Sequence, residues 1–309
     1  MKQVMKIAIF GANSHIAKDV ILSFLNEKEI KLFLFARDIV SLEKWLINSK
    51  LDNNCTFLEY SSFSNNQKFN VIINFVGAGD PEKIKILGND IFKISEKFDE
   101  MAIEYLKENK GTKYIFLSSG AVYSSNFQEP VSKDSLAKIN INNLISSDWY
   151  AIAKLYAEAK HRSLVDYSIV DIRVFNYFSH TQDMSARFLI TDIVRSLKNK
   201  EILETSSDNI VRDYITPIDF NNLIKLIINY KPMNTALDCY TKSPISKFDL
   251  LLELKSKFGL NYRINESANI INSTGSKTHY YSVNKKAKNI GYSPSNNSLD
   301  GIINELNKL

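Results

Sequence analysis

Short apolar runs alternate with longer amphipathic stretches through the first half of the chain. Residues 6–10 (KIAIF) read as a strand and residues 14–26 (SHIAKDVILSFLN) as an amphipathic helix. Residues 31–36 (KLFLFA) read as a strand and 40–48 (VSLEKWLIN) as a helix, followed by strands at 55–60 and 71–77. A long helix is expected over 82–109, with a break near Gly88. A strand at 114–119 (YIFLSS), a helix over 149–164 and a strand at 167–175 complete the half. Short apolar strands, each followed by a helix, predict a parallel sheet covered on both faces. This is a doubly wound α/β arrangement of the Rossmann type, with its ligand crevice at the carboxyl ends of the strands.

The second half is less regular. Residues 185–197 read as a helix and 210–215 (IVRDYI) as one short strand. Pro217 is placed to begin the helix IDFNNLIKLIINY, because its fixed φ suits a first helical position. Another amphipathic helix is expected over 248–258, and the last seventy residues, rich in Asn, Ser and Lys, read as a small irregular lobe. The expected division is a Rossmann-type domain over 1–175 and a second lobe over 176–309, with part of 210–235 returning to the first domain.

Composition narrows the partners more than the fold. The chain has 309 residues, 44% hydrophobic and 24% charged, with a net charge of +5 spread along its length. No run of like charges suggests a nucleic-acid arm, and the aromatic residues fall mainly inside apolar runs, where they read as core. Two cysteines, Cys55 and Cys239, and four histidines offer no metal-type spacing. No segment reaches the roughly 18 apolar residues needed to span a membrane. Free thiols and a chain that opens directly into a strand lead us to expect a cytoplasmic protein.

Candidate chemistry begins at Gly11-Ala-Asn13-Ser14-His15-Ile16-Ala17, between the first strand and the first helix. The three glycine positions of a dinucleotide loop are filled by Gly11, Ser14 and Ala17. Gly11 permits the tight turn, and the N–H groups at the helix start would then face a pyrophosphate. At the end of the second strand, NAD sites place a carboxylate for the ribose hydroxyls. Here Ala36 holds that position with Arg37 beside it, and a guanidinium suits the additional phosphate of NADP. The expected cofactor is therefore NADP rather than NAD, although Asp38 would restore an acid if the turn shifted by one residue.

Tyr150 and Lys154, four residues apart, share one face of a helix, and Ser119 ends the strand before it. An ammonium beside a phenol favours the phenolate and lowers its pKa, and the Ser hydroxyl is placed to hold a carbonyl oxygen against the phenol. Such a trio moves a proton on or off an alcohol while hydride moves on or off its carbon. Tyr156/Lys160 and Tyr281/Lys285 have the same spacing. Only the first pair follows a Gly-containing loop and a strand ending in Ser.

The order of the Gly loop, Asn74 in NFVG, Ser119 in SSGAVY, Tyr150/Lys154, RVFN and VRDYI resembles the extended short-chain dehydrogenase/reductase family, in its nucleotide-sugar epimerase, dehydratase and reductase group. NKKAKNIGYSP resembles the family's closing segment. The resemblance covers nearly the whole chain. It implies Ser119, Tyr150 and Lys154 as the catalytic trio, with Lys154 and Tyr150 also at the nicotinamide ribose. It implies a cofactor site of Gly11, Asn13, Ser14, His15, Ile16, Arg37, Val76, Gly77 and Tyr177. It implies Ser119, Tyr123, Asn176 and Arg212 against a nucleotide-diphosphate sugar, with Asn176 and Arg212 at the diphosphate and Asp213 and Asp219 structural. A homodimer through the Tyr150 helix and the 82–109 helix, and a role in polysaccharide biosynthesis, are further implications.

Departures from the family pattern narrow the reaction. The 4,6-dehydratases carry Asp and Glu after the catalytic Ser/Thr, where this chain has Gly120 and Ala121. The 3,5-epimerase/reductases carry Cys where Ala121 stands. His180 is another candidate acid or base. What remains is redox at one carbon: an NADPH-dependent keto-sugar reductase is expected, with an NAD-dependent 4-epimerase as the alternative. A non-catalytic NADP-binding regulator on the same fold is a third reading, which retention of Ser119, Tyr150 and Lys154 disfavours.

Overall fold

The computed structural model describes residues 4–25, 27–48, 55–77, 81–123, 127–265 and 277–309. The chain runs β1 (Met5–Phe10), α1 (His15–Phe24), β2 (Ile30–Phe35), α2 (Ile39–Asn48), β3 (Cys55–Leu58) and β4 (Val71–Asn74). It continues through α3 (Pro81–Leu87), α4 (Asp90–Glu108), β5 (Lys113–Ser119), α5 (Ser146–Ser163) and β6 (Ile169–Val174). Then come β7 (Asn176–Tyr177), α6 (Leu189–Asn199), β8 (Leu203–Thr205), β9 (Val211–Arg212), β10 (Tyr214–Ile215) and α7 (Pro217–Asn229). The chain closes with β11 (Thr235–Asp238), β12 (Ile245–Ser246), α8 (Lys247–Phe258), β13 (Tyr262–Ile264), β14 (His279–Tyr280) and α9 (Ser298–Leu306).

Seven parallel strands form the central sheet in the order β11-β6-β5-β4-β1-β2-β3. Alternate residues of each strand feed opposite faces. Ile7 and Ile9 join α1, α2 and α7 in one apolar layer, and Ala8 and Phe10 join α4 and α5 in the other. Both layers are buried, which is why the strands read as continuous apolar runs. The second layer is aromatic, with Phe10, Phe35, Tyr60, Phe63, Phe69 and Tyr105 meeting mostly edge-on or tilted. Lys113 crosses beneath the sheet and donates to the carbonyls of Ile227, Ile228 and Tyr230 at 2.5, 2.9 and 2.6 Å, satisfying the end of α7. A separate cluster of α6, α8 and α9 side chains cores the lobe.

Several elements differ from expectation. IVRDYI is two strands, because the Asp213 carboxylate between them accepts from the Thr241 N–H at 2.9 Å and the Ser298 hydroxyl at 2.9 Å. β9 then pairs with β12 and β14, and β10 with β7. The helix expected over 185–197 begins at Leu189, where the Thr191 hydroxyl takes the Phe188 N–H at 3.0 Å. Thr235–Asp238, not anticipated as a strand, forms the edge of the central sheet against β6. The long helix is broken at Gly88, as the sequence indicates, with φ +53° there. No helix among the described residues is long and apolar enough to cross a membrane.

Candidate active site

The direction of chain crossing reverses between β1 and β4, and the turns after these strands meet there. Gly11 has φ +73°, and a Cβ on it would stand 2.9 Å from the main chain of both Phe75 and Val76. Only glycine lets the two turns touch. The Gly11 N–H donates to the Phe35 carbonyl (3.1 Å) and the Tyr60 hydroxyl (2.7 Å). Ser14, at the second glycine position, caps α1 by accepting from the Ala17 N–H at 3.3 Å. Ala17, at the third, is fully buried. The start of α1, including His15 and Ile16, therefore opens onto the crevice with its N–H end, a fit to a dinucleotide pyrophosphate.

Neighbouring side chains brace this turn. Asn13 donates to the Asp38 carbonyl at 2.7 Å. The His15 ring is 3.1 Å from the Ser179 hydroxyl and edge-on to Tyr177, whose own hydroxyl donates to Asp19 at 2.8 Å. Burial pushes the His15 pKa down. The side chains of His15 and Tyr177 thus tie α1 to the lobe.

At the end of β2, Ala36 is buried and Arg37 exposed. Asp38 accepts from both the hydroxyl (2.6 Å) and the N–H (2.9 Å) of Ser41, which holds its carboxyl below the usual range. The one acid that would restore the NAD pattern is committed to the start of α2.

Ser119, Tyr150 and Lys154 come together where β5 meets α5. The Ser119 oxygen accepts from the Ala121 N–H at 3.2 Å. Lys154 donates to the Leu117 carbonyl at 2.7 Å, lies 4.2 Å from the centre of the Phe116 ring, and would be 3.4 Å from a Cβ on Gly77. Gly77 and Lys154 are therefore in contact, and the Val76 N–H beside them is held by Asn74 at 2.9 Å. Burial depresses the Lys154 pKa to about 8, against the opposing charges of Asp99, Asp171 and Glu158. One expectation is corrected: the Tyr150 pKa is raised, because burial outweighs the Ser119 hydroxyl acting on it, and the Lys154 ammonium is directed at Leu117 and Phe116.

The lobe adds groups that sequence reasoning missed. The Tyr280 hydroxyl is 3.3 Å from that of Ser119. Lys277 stands 4.5 Å from the Tyr280 ring and 5.4 Å from that of Phe127. Arg212, buried, is 5.9 Å from the Tyr280 ring and donates to the Val211 and Thr278 carbonyls at 2.9 and 3.3 Å. Burial, with the Arg212 charge adding to it, depresses the Lys277 pKa to about 8. Asn176 donates to the Tyr280 carbonyl at 3.1 Å. The buried Arg212 and the half-buried Lys277 thus flank one tyrosine beside Ser119. The only sequence signal was a Lys and a Tyr just ahead of the closing segment.

Two expected residues are engaged elsewhere. The Tyr123 hydroxyl donates to Asp238 at 2.9 Å and accepts from Arg173 at 2.6 Å, inside a network with Glu158. His180 is bound to Glu305 of α9, at 2.7 Å from its ring and 3.0 Å from its N–H. Asp213 and Asp219 hold loops: Asp219 accepts from the Ser295 and Asn296 N–H groups at 2.6 and 3.2 Å.

The NAD-dependent epimerase/dehydratase family model matches residues 7–235. Comparison with curated proteins finds no match. Among solved structures, the chain is similar to UDP-glucuronic acid 4-epimerase from Bacillus cereus in complex with UDP-glucuronic acid and NAD, at 17% identity and TM-score 0.76 over 98% of each chain. It is similar to dTDP-glucose 4,6-dehydratase from Bacillus anthracis in complex with NAD, at 16% identity and TM-score 0.78, over 98% of this chain and 96% of the other. UDP-glucose 4-epimerase from Bifidobacterium longum, in complex with NAD+ and UDP, gives 16% identity and TM-score 0.78 over 98% and 97%. With the family model spanning most of the chain and the crevice, glycine turn and Ser-Tyr-Lys trio in place, the protein belongs to the NAD-dependent epimerase/dehydratase family, the extended short-chain dehydrogenase/reductases.

Proposed function

We propose that the chain is an NADPH-dependent reductase of a keto group on a nucleotide-diphosphate-linked sugar. The observation that carries this reading is the convergence of Ser119, Tyr150 and Lys154 beside Gly77, next to the Gly11 turn. Ser119 and Tyr150 bind the carbonyl oxygen, and Tyr150 gives its proton to the oxygen as negative charge develops there. Lys154, charged below about pH 8, holds the ribose side of the site, and the raised pKa of Tyr150 keeps its proton available for transfer. A bound nicotinamide supplies the hydride. Arg212 and Lys277 take the diphosphate, and Asn176 orders the strand beside them.

Ala36, Arg37 and the engaged Asp38 favour NADP over NAD. A second reading, an NAD-dependent 4-epimerase, uses the same three side chains, and the NAD complexes of the structural relatives favour it. Dehydration lacks support: a Cβ at Gly120 would fall 2.3 Å from the Phe175 ring, so an acid has no room there. Incubation with NADPH and 4-keto nucleotide sugars should consume NADPH and yield one alcohol. Interconversion of two sugars with no net dinucleotide turnover would select the epimerase, and neither reaction would leave a binding protein.

Replacing Lys277 by Ala is expected to weaken nucleoside diphosphate binding about 10- to 100-fold, the loss of one charge-assisted contact, as read by calorimetry with UDP, CDP, GDP and dTDP. Unchanged affinity would remove Lys277 from the site. We also propose that the protein is a cytoplasmic homodimer joined through α4 and α5. The groove between these helices, about 290 Å³ and lined by Phe92, Ile152 and Tyr156, presents half-exposed aromatic rings to a second copy.

A further inference from the structure

The face of α5 that carries Tyr150 and Lys154 continues toward the sheet as Ala157 and His161. His161 is completely buried. Its Nδ1 is 2.6 Å from Asp171 Oδ1 and its Nε2 is 2.8 Å from Asp99 Oδ1. A neutral imidazole has one N–H and one lone pair, so it would turn a lone pair toward a carboxylate at one end. Only the imidazolium donates at both. Burial works against that charge, but the hydrogen bonds that the ring donates to Asp171 and Asp99 outweigh it and leave the His161 pKa at about 9.

This cluster touches both halves of the site described above. The Phe116 ring carries Lys154 at 4.2 Å and meets the His161 ring edge-on at 5.1 Å. Asp99 accepts from the Tyr114 hydroxyl (2.8 Å), which accepts from Asn74 (2.9 Å), which holds the Val76 N–H (2.9 Å). The charges acting on Lys154 are Asp99 from α4, Asp171 from β6 and Glu158 from α5 itself. Glu158 is paired with Arg173 in a multidentate contact. Around His161, Lys160 pairs with Asp99 and Glu100, and Arg162 with Asp171.

We propose that Asp99, His161 and Asp171 are positioning residues that set the charge of Lys154 from behind the catalytic helix. The two carboxylates hold the ammonium charged against its burial, and the imidazolium between them limits how much of their field Lys154 feels. All three side chains are buried behind α5. The trio's importance rests on the reading of Lys154 as catalytic, but the effect itself does not.

The test is a pH titration of the lysine side chains by NMR in protein carrying ¹³C at lysine Cε, with the Lys154 signal assigned by its loss in Lys154→Arg. Asp99→Asn removes a negative charge, so the Lys154 midpoint should fall. His161→Gln removes a positive charge, so it should rise. Shifts of about half a pH unit or more are expected, in opposite directions, which a purely structural defect would not produce. If Asp99→Asn does not fold, Asp171→Asn carries the same sign. Midpoints that stay at the wild-type value, or move together, overturn the proposal. Because the titration needs neither cofactor nor sugar, it stands apart from any failure to find turnover.

Discussion

Tyr150→Phe is expected to lower turnover of the keto sugar by about 10²- to 10⁴-fold, the usual share of a positioned acid or base. The substitution removes one oxygen and keeps the ring, so α5 keeps its packing. Dinucleotide affinity should change little, because Lys154 retains its contacts with Leu117 and Gly77. The raised pKa of Tyr150 means that the phenol enters the reaction protonated, as a reductase requires of its acid. Ser119→Ala should cost less, since Tyr280 leaves a second hydroxyl at that position, 3.3 Å from the Ser119 oxygen. Steady-state kinetics alongside a thermal melt separate these outcomes. A fully active Tyr150→Phe enzyme refutes the assignment.

The second large effect falls on the fold and the cofactor crevice together. Gly11→Ala places a methyl 2.9 Å from main-chain atoms of Phe75 and Val76 and forces an L-residue into φ +73°. The left-handed conformation costs about 1–2 kcal/mol, and overpacking about 1–3 kcal/mol more. The main chain, unlike a flexible side chain, cannot swing aside. A melting temperature lower by several degrees is therefore expected, with dinucleotide binding lost as the β1 and β4 turns separate. Thermal melts with and without NADPH read both effects. A variant that melts like the parent and still responds to NADPH would show that the two turns tolerate separation.

Much of the fold is legible in the sequence because its determinants are local. Strands such as Ile7–Ile9 are apolar on both faces and lie next to amphipathic helices, so periodicity and order suffice to predict the doubly wound sheet. Thr235–Asp238 was missed because four residues carry little pattern, and only pairing with β6 makes them a strand. α9 was missed because its signal, Asn297 capping an apolar stripe at 2.8 Å through the Asp300 N–H, sits in an Asn- and Ser-rich tail. In the candidate site, the sequence motifs anticipate that Ser119, Tyr150 and Lys154 lie together where β5 meets α5. Tyr280 lies 161 residues from Ser119 and reaches it only through the lobe. The Tyr123 ring lies at the right height in the sequence motif, but Arg173 and Asp238 claim its hydroxyl. Spacing cannot report such competition between partners.

The central claim is that this crevice binds a nicotinamide dinucleotide carrying the 2′-phosphate, together with a nucleoside diphosphate. Thermal stabilisation by NADPH and NADH, each followed by UDP, CDP, GDP and dTDP, tests it most directly, since a ligand that binds only the native state raises its stability by mass action. The account predicts a larger shift with NADPH than with NADH and a further shift with one of the diphosphates. A larger shift with NADH, or NAD retained through purification, would contradict the Arg37 argument and put the 4-epimerase first. No shift with either dinucleotide would contradict the account as a whole.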